Sequence, residues 1–319
     1  MFTGLDADAQ GDPDGLFNLD NLALIKHRPG RFNLFRAADD PFRAVFFWRK
    51  SPSLVNLAFM QGFLLDGRAR NLFEADRGAV FVHTQDQDIR FDDLFGQKQA
   101  ADLAAFQFSL VSDPLLLALR DPTHPKHQAL IADPFFTVNV QTKAQKRGQR
   151  LCEKRCMSCH NTPNVFNNLD NVEALGPNHL RPIDFPVTAT VGRAFNIGIS
   201  ERNKHNLRFT VPLPGGGFET VVLPLAKTDG TTVNLPVTFD VGLAASTARF
   251  EDVGRFKVPQ LRNVRLNAPY FHDNSAMTLE GVIEYFDSPA YNQSRDGRRY
   301  PIHLSHSQKK DLLEFLKIL

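Results

Sequence analysis

LCEKRCMSCH, residues 151–160, holds every cysteine of the chain: Cys152, Cys156 and Cys159, with His160 directly after the last. Thiols packed into one short stretch cannot spread a disulfide framework over 319 residues, and such clustering points to a bound metal or cofactor. Three readings compete. Cys156, Cys159 and His160 spell C-x-x-C-H, in which two thiols add to the vinyl groups of one haem and the adjacent imidazole ligates its iron. Zinc would want four ligands, and no second C-x-x-C or H-x-x-x-H is present. Cys152, Cys156 and Cys159 also read as C-x3-C-x2-C, the spacing of radical S-adenosylmethionine iron–sulfur enzymes. That reading requires regular strand–helix alternation around the motif, which the residues after His160 do not show.

Outward from the motif, residues 142–158 read as a helix that delivers the Cys pair at its end, with Lys154 and Arg155 suited to a helix C-terminus. Upstream, residues 98–119 carry Leu103, Phe106 and Leu110 at helical spacing. DPTHPKHQALIADPFF (121–136) is rich in proline and reads as an interdomain linker. Residues 1–50 carry loop signals such as GDPDG and HRPGRF and read as irregular. Downstream, LRFTVPLPGGGFETVVLPL and KTDGTTV place two turns among β-prone runs between 207 and 240. A helix is expected from Thr278 and another from about Ser307. Leu279, Val282, Ile283 and Phe286 form one apolar face of the first of these.

The formal net charge is +2, and no Lys/Arg block is present, so nothing here suggests a nucleic-acid partner. No run of about 18 apolar residues suggests a transmembrane span. The first residues have neither the basic nor the apolar region of a signal peptide.

FKVPQLRNVRLNAPYFHDNSAMTLEGVIEYF (256–286) resembles the signature of bacterial dihaem cytochrome c peroxidases, a family that includes the enzyme maturing methylamine dehydrogenase. SPSLVNLAFMQGFLLDGRA (51–69) resembles the first-domain segment of that family, and LSHSQKKDLLEFLKIL (304–319) its final helix. Together with C-x-x-C-H, the resemblance selects c-type haem over the iron–sulfur cluster. It implies a mainly α fold of two cytochrome c-like domains. Residues 1–135 would be a degenerate or N-terminally truncated first domain, and residues 136–319 a haem domain with a β-hairpin insertion at about 207–240. It implies reduction of hydrogen peroxide or a related oxidant, with electrons from a small redox protein such as a cytochrome c or cupredoxin. A homodimer is the expected assembly. The alternative reading is an electron-transfer cytochrome without catalysis.

The departures from the family are informative. The family carries two haem motifs, and this chain carries one. Covalent haem attachment takes place outside the cytoplasm, so a periplasmic location is expected. One segment upstream of Met1 would supply both an export signal and a first haem. The family's interhaem tryptophan aligns with Leu65, while the only tryptophan is Trp48. The asparagine that helps bind calcium aligns with Lys50, a poor neighbour for calcium, although carbonyls near Asn267 and Pro269 remain. The family's peroxide-cleaving glutamate falls near FVHTQDQD, where His83, Gln85 and Asp86 offer other acid–base groups. The family's sixth iron ligand aligns with Phe286, which cannot ligate. Tyr285, about 100° round the helix, is the candidate sixth ligand, with Met277 as a further one.

The resemblance places His272 near the haem, as a catalytic candidate. Arg262, also a catalytic candidate, and Arg265 would reach haem propionates, since guanidinium matches a carboxylate bidentately. His27 is a candidate axial ligand for the first domain. His124, His127, His179, His205, His303 and His306 read as surface or loop residues. Cys152 reads as a buried thiol one turn before Cys156.

Overall fold

Thr142 opens the helix that ends at the Cys pair. Its hydroxyl accepts the amide of Gln145, whose side chain accepts the amide of Thr142 in return, both at 3.1 Å. This reciprocal cap satisfies two amides that the first turn leaves open. In the computed structural model the described residues are 22–27, 45–60, 62–67, 69, 72–73, 75–76, 96–168, 194–202, 210–212, 218–220 and 222–319. His83, Gln85, Asp86, His179 and His205 lie outside them.

The helices are α1 (Gln97–Ser109), α2 (His127–Ala132), α3 (Lys143–Arg155), α4 (Ile199–Arg202), α5 (Ala244–Thr247), α6 (Leu279–Phe286), α7 (Pro289–Asn292) and α8 (His306–Leu316). The strands are short and pair locally or singly. They are β1 (Leu22–His27) with β2 (Val45–Lys50), β3 (Ala194–Phe195) with β8 (Phe256–Lys257), β4 (Thr210–Pro212) with β5 (Phe218–Thr220), and β6 (Val222–Ala226) with β7 (Thr232–Pro236). All four pairs are antiparallel. The described protein is therefore helix-rich with a few short strands. Among the described residues, no single helix is long and apolar enough to cross a membrane.

α3 and α8 form the central packing. Gly148 on α3 lies so close to α8 that an added Cβ would stand 2.0 Å from the Asp311 carbonyl oxygen. Arg147 grips the Asp311 carboxylate with two bonds of 2.6 and 2.7 Å. α6 covers the same core, where Leu279, Ile283, Leu312 and Phe315 bury with Cys152 and Phe166. A second core joins Ala58 and Phe59 to Leu116, Leu119, Leu130 and Val165. A third lies under β6, where Leu223 and Leu225 pack on Val237 and Val241.

Three expectations are corrected. Residues 22–27 and 45–50 are not irregular, because LALIKH and VFFWRK pair in register from Leu22–Lys50 to His27–Val45. Residues 121–136 carry a helix of their own. α2 lies within them, and Leu130 and His127 are fully buried, with His127 Nδ1 bonded to the Ala118 carbonyl at 2.8 Å. His127 is thus a core residue and not a surface one. On α1 the buried face is Ala100, Ala104 and Gln107, while Phe106 is 58% exposed. On that inward face Gln107 donates to Asp76 at 3.0 Å.

Candidate functional site

α3 stops at Cys156, and the chain turns tightly. The amides of Cys159 and His160 both donate to the Cys156 carbonyl, at 3.1 and 2.9 Å. This turn sets His160 one turn beyond Cys156, with Cys159 between. Cys156 and Cys159 are free thiols and partly exposed, whereas Cys152 is buried. The Cys152 thiol bonds to Cys156, which pushes Cys152 up and holds Cys156 down. Burial pushes Cys159 up.

His160 Nδ1 meets the Phe166 carbonyl at 2.8 Å. The imidazole is enclosed on most sides although part of its surface stays open. Burial pushes its pKa down to about 4, against the opposing pull of the Phe166 and Pro259 carbonyls. A neutral imidazole with Nδ1–H committed to a carbonyl presents Nε2 as a lone pair, the state in which histidine ligates metals. The segment after His160 delivers that carbonyl under strain: Asn164 and Phe166 have φ of 62° and 60°, a region that side chains rarely occupy. Asn164 holds the bend by donating to the Leu130 and Asp133 carbonyls at 2.8 and 3.0 Å. Asn168 donates to the Cys159 carbonyl at 2.8 Å.

An aromatic cluster adjoins the thiols. Phe271 meets Tyr285 at 5.1 Å between ring centroids, and Phe286 meets Tyr291 at 4.8 Å. Tyr291 is buried, and its phenol is pushed up by burial first and then by Cys159 and Cys156. No sequence signal marked Tyr291, because it follows the Ser288–Pro289 break, beyond the helix on which the ligand count was made. Tyr285, not Phe286, is the more deeply buried of the helix pair. Its hydroxyl donates to the Ile197 carbonyl at 2.5 Å, and burial pushes its proton loss well up. Met277 is 55% exposed.

His272 is buried, stacks on Phe256 at 3.8 Å, and lies 3.2 Å from Ser200 Oγ through Nε2. Burial pushes its pKa down. Beneath it is a charge cluster that spacing could not reveal. The Arg49 guanidinium, 1% exposed, donates twice to Asp240 at 2.6 Å and once to Asp66 at 2.7 Å. Arg262 points its guanidinium at Thr137 Oγ1, 2.8 Å away, with Asp113 at 3.5 Å. Arg265 is exposed. His27 is the last residue of β1, opposite Val45. Leu65 is half-buried, and its carbonyl accepts the Lys257 amide at 2.9 Å.

No family model matches the chain. It is 25% identical over 308 residues to the cytochrome-c peroxidase IdrP2 of Denitromonas iodatirespirans, covering 87% of this chain and 70% of that protein. It is 23% identical over 300 residues to the cytochrome-c peroxidase IdrP1 of Pseudomonas sp. strain SCT, covering 85% and 68%. The methylamine utilization protein MauG of Methylorubrum extorquens matches at 34% over 65 residues, 20% of this chain and 18% of that one. Among solved structures, a MauG-like protein associated with microbial copper homeostasis aligns with a TM-score of 0.47 and 20% identity, over 90% of this chain and 76% of that chain. The chain's homologues are bacterial dihaem cytochrome c peroxidases and MauG-like proteins. Such relatives imply a c-type haem.

The residues present suit that group. Two partly exposed thiols two residues apart, a neutral histidine with one nitrogen committed, and an adjoining aromatic wall are the donor set and lining that a thioether-linked haem requires. Among the described residues, no three His, Cys, Asp or Glu side chains converge as a metal cage. The residues do not suit calcium. The carbonyls of Asn267 and Pro269 both accept hydrogen bonds from the Lys50 ammonium, a positive charge where a hard cation would need further oxygens.

Proposed function

We propose that the chain is a c-type haem oxidoreductase of the cytochrome c peroxidase type, reducing peroxide or a related oxidant with electrons from a small redox protein. The observation that carries this reading is the contact of His160 Nδ1 with the Phe166 carbonyl, on the histidine that directly follows Cys156 and Cys159. Haem bound there would supply an iron able to exchange electrons and to accept a small oxidant. Cys156 and Cys159 would hold it through thioethers, and His160 through Nε2. Phe166 keeps the proton on Nδ1 and fixes the ring's direction.

Tyr285 is the candidate sixth ligand, at present a phenol whose proton is held by the Ile197 carbonyl. It would have to give up that bond to ligate, so the reading favours a site open to small molecules. His272, kept neutral by burial, is the candidate for receiving or returning a proton, with Ser200 as its bonded neighbour. Arg262 could serve a propionate only by exchanging Asp113. The reading includes two cytochrome c-like domains, 1–135 and 136–319, with the paired strands at 210–236 as an insertion in the second. It also includes a periplasmic location, as covalent haem requires, and a homodimer. The core around Phe59 draws on residues before 136 except for Val165, and the core around Phe315 on residues after 135 except for Phe135.

The test is spectroscopic, on protein made in the periplasm with haem maturation machinery. A pyridine haemochrome assay should find covalent haem in the wild type and lose it in Cys156→Ser/Cys159→Ser. Ferric high-spin bands should shift on adding peroxide. A low-spin spectrum indifferent to peroxide would replace this reading with that of an electron-transfer cytochrome.

A further inference from the structure

Lys50 ends β2 with its side chain turned into the protein. Its ammonium donates to two backbone carbonyls, those of Asn267 and Pro269. Its own amide donates to the His272 carbonyl at 2.6 Å. One residue thus holds both ends of the segment 267–272. The Tyr270 ring, between them, has its centroid 5.9 Å from the ammonium. No carboxylate among the described residues lies within ion-pair reach of Lys50.

Two carbonyl dipoles aimed at one half-buried point repel each other unless a positive charge sits between them. Proteins commonly supply that charge as a hard cation wrapped in oxygens. Here the chain supplies it covalently. An ammonium has three donors, no acceptor and no need of further anionic ligands, so two carbonyls and an aromatic face satisfy it.

We propose that Lys50 is a built-in cation that takes the place of a bound divalent metal at the Asn267–Pro269 carbonyls. It makes the placement of the segment carrying His272 independent of calcium. The inference does not rest on the haem reading. It makes Lys50 a positioning residue, since the ammonium acts on His272 only through the backbone.

The same geometry says how to convert the site. An Asp side chain at position 50 is shorter than that of Lys and leaves the ammonium's place open to a cation, whose calcium–oxygen distances would be roughly 2.4 Å. Lys50→Asp should therefore turn an internal cation into a calcium site made of a carboxylate, two carbonyls and water oxygens that complete the coordination. The experiment uses the full chain as expressed, with or without haem, and two readouts: the thermal unfolding midpoint with calcium or with chelator, and, on haem-free protein, terbium luminescence sensitised by Tyr270.

Wild type should show the same midpoint in both buffers and no sensitised terbium that calcium displaces. Lys50→Met should unfold several degrees lower in both buffers. Lys50→Asp should unfold lower in chelator, recover with calcium, and give a terbium signal that calcium removes. A wild-type midpoint that rises with calcium or falls with chelator would overturn the proposal, as would a Lys50→Met midpoint equal to wild type. If Lys50→Asp does not fold, Lys50→Arg decides: a midpoint restored relative to Lys50→Met supports the internal cation, and one that is not restored counts against it.

Discussion

Arg49 is enclosed almost completely, so its charge depends on protein neighbours alone. Burial works against the charge, and Asp240 and Asp66 overcome it, holding the guanidinium above its ordinary value. Removing the cation from such a group strands buried carboxylates, which costs about 3–5 kcal/mol. Arg49→Met should lose stability of that order in chemical denaturation, and a loss below about 1 kcal/mol would contradict the picture. Arg49→Lys should recover only part, because an ammonium cannot reproduce the two-pronged grip on Asp240. At this scale the legible residues were those whose meaning lies in close spacing. Cys156, Cys159 and His160 are adjacent on the chain, so the turn that joins them is local. Arg49 and Asp240 stand 191 positions apart, and neither composition nor periodicity links them. His127 was misread for the same reason. It is 0% exposed and meets the Ala118 carbonyl, while Leu130 of the same helix packs with Leu116, Leu119 and Val165, which no window of neighbouring residues records.

The helices divide in a similar way. α3, α6 and α8 begin where their capping residues announce it: Thr142 with Gln145, Thr278, and Ser305 with Gln308. These signals act within one turn, so the sequence carries them whole. Which face each helix buries is another matter. Gly148 looks like a weak point in the middle of α3, yet it is where the Asp311 backbone presses in. Gly148→Ala would improve helix propensity on an exposed helix, by roughly 1 kcal/mol. Here it forces α3 and α8 apart, and overpacking costs about 1–3 kcal/mol or more. The variant should therefore melt well below wild type, and an unchanged or higher midpoint would show that the two helices can separate freely. On α6 the expected face of Leu279, Val282, Ile283 and Phe286 does pack inward, but Tyr285 goes deeper than Phe286. The Ile197 carbonyl, 88 positions away, decides that by taking the hydroxyl.

Across the whole molecule, cations fasten residues 49–66 to residues 240–272. Arg49 joins Asp66 to Asp240, Lys50 holds Asn267 and Pro269, and the buried Lys257 ammonium donates to the Gly62 carbonyl. Burial pushes Lys257 down to about 8, with Asp66 pulling the other way. An unfolded chain keeps that proton up to about pH 10.4. Between these values the unfolded state binds more protons, so stability contributed at this position rises with pH. The cost of the buried charge is fully present below about pH 8 and is relieved above. Wild type should therefore gain on Lys257→Met as pH climbs from about 8 to about 10.4, by up to about 1.4 kcal/mol per unit. Denaturant midpoints of the two proteins would show it, and parallel curves would refute it. What the sequence alone determined was local: the C-x-x-C-H motif, the starts of the helices near 142, 278 and 307, the turn at Asp229–Gly230, and the likeness to a peroxidase family. Each rests on residues within a few positions of one another, or on a motif read as a unit. Only the tertiary structure decided which carbonyls meet Lys50, which acids enclose Arg49, and that Tyr285 and His127 turn inward. Those choices depend on segments that approach each other only after folding, where burial makes an unmatched charge or hydroxyl too costly to leave alone.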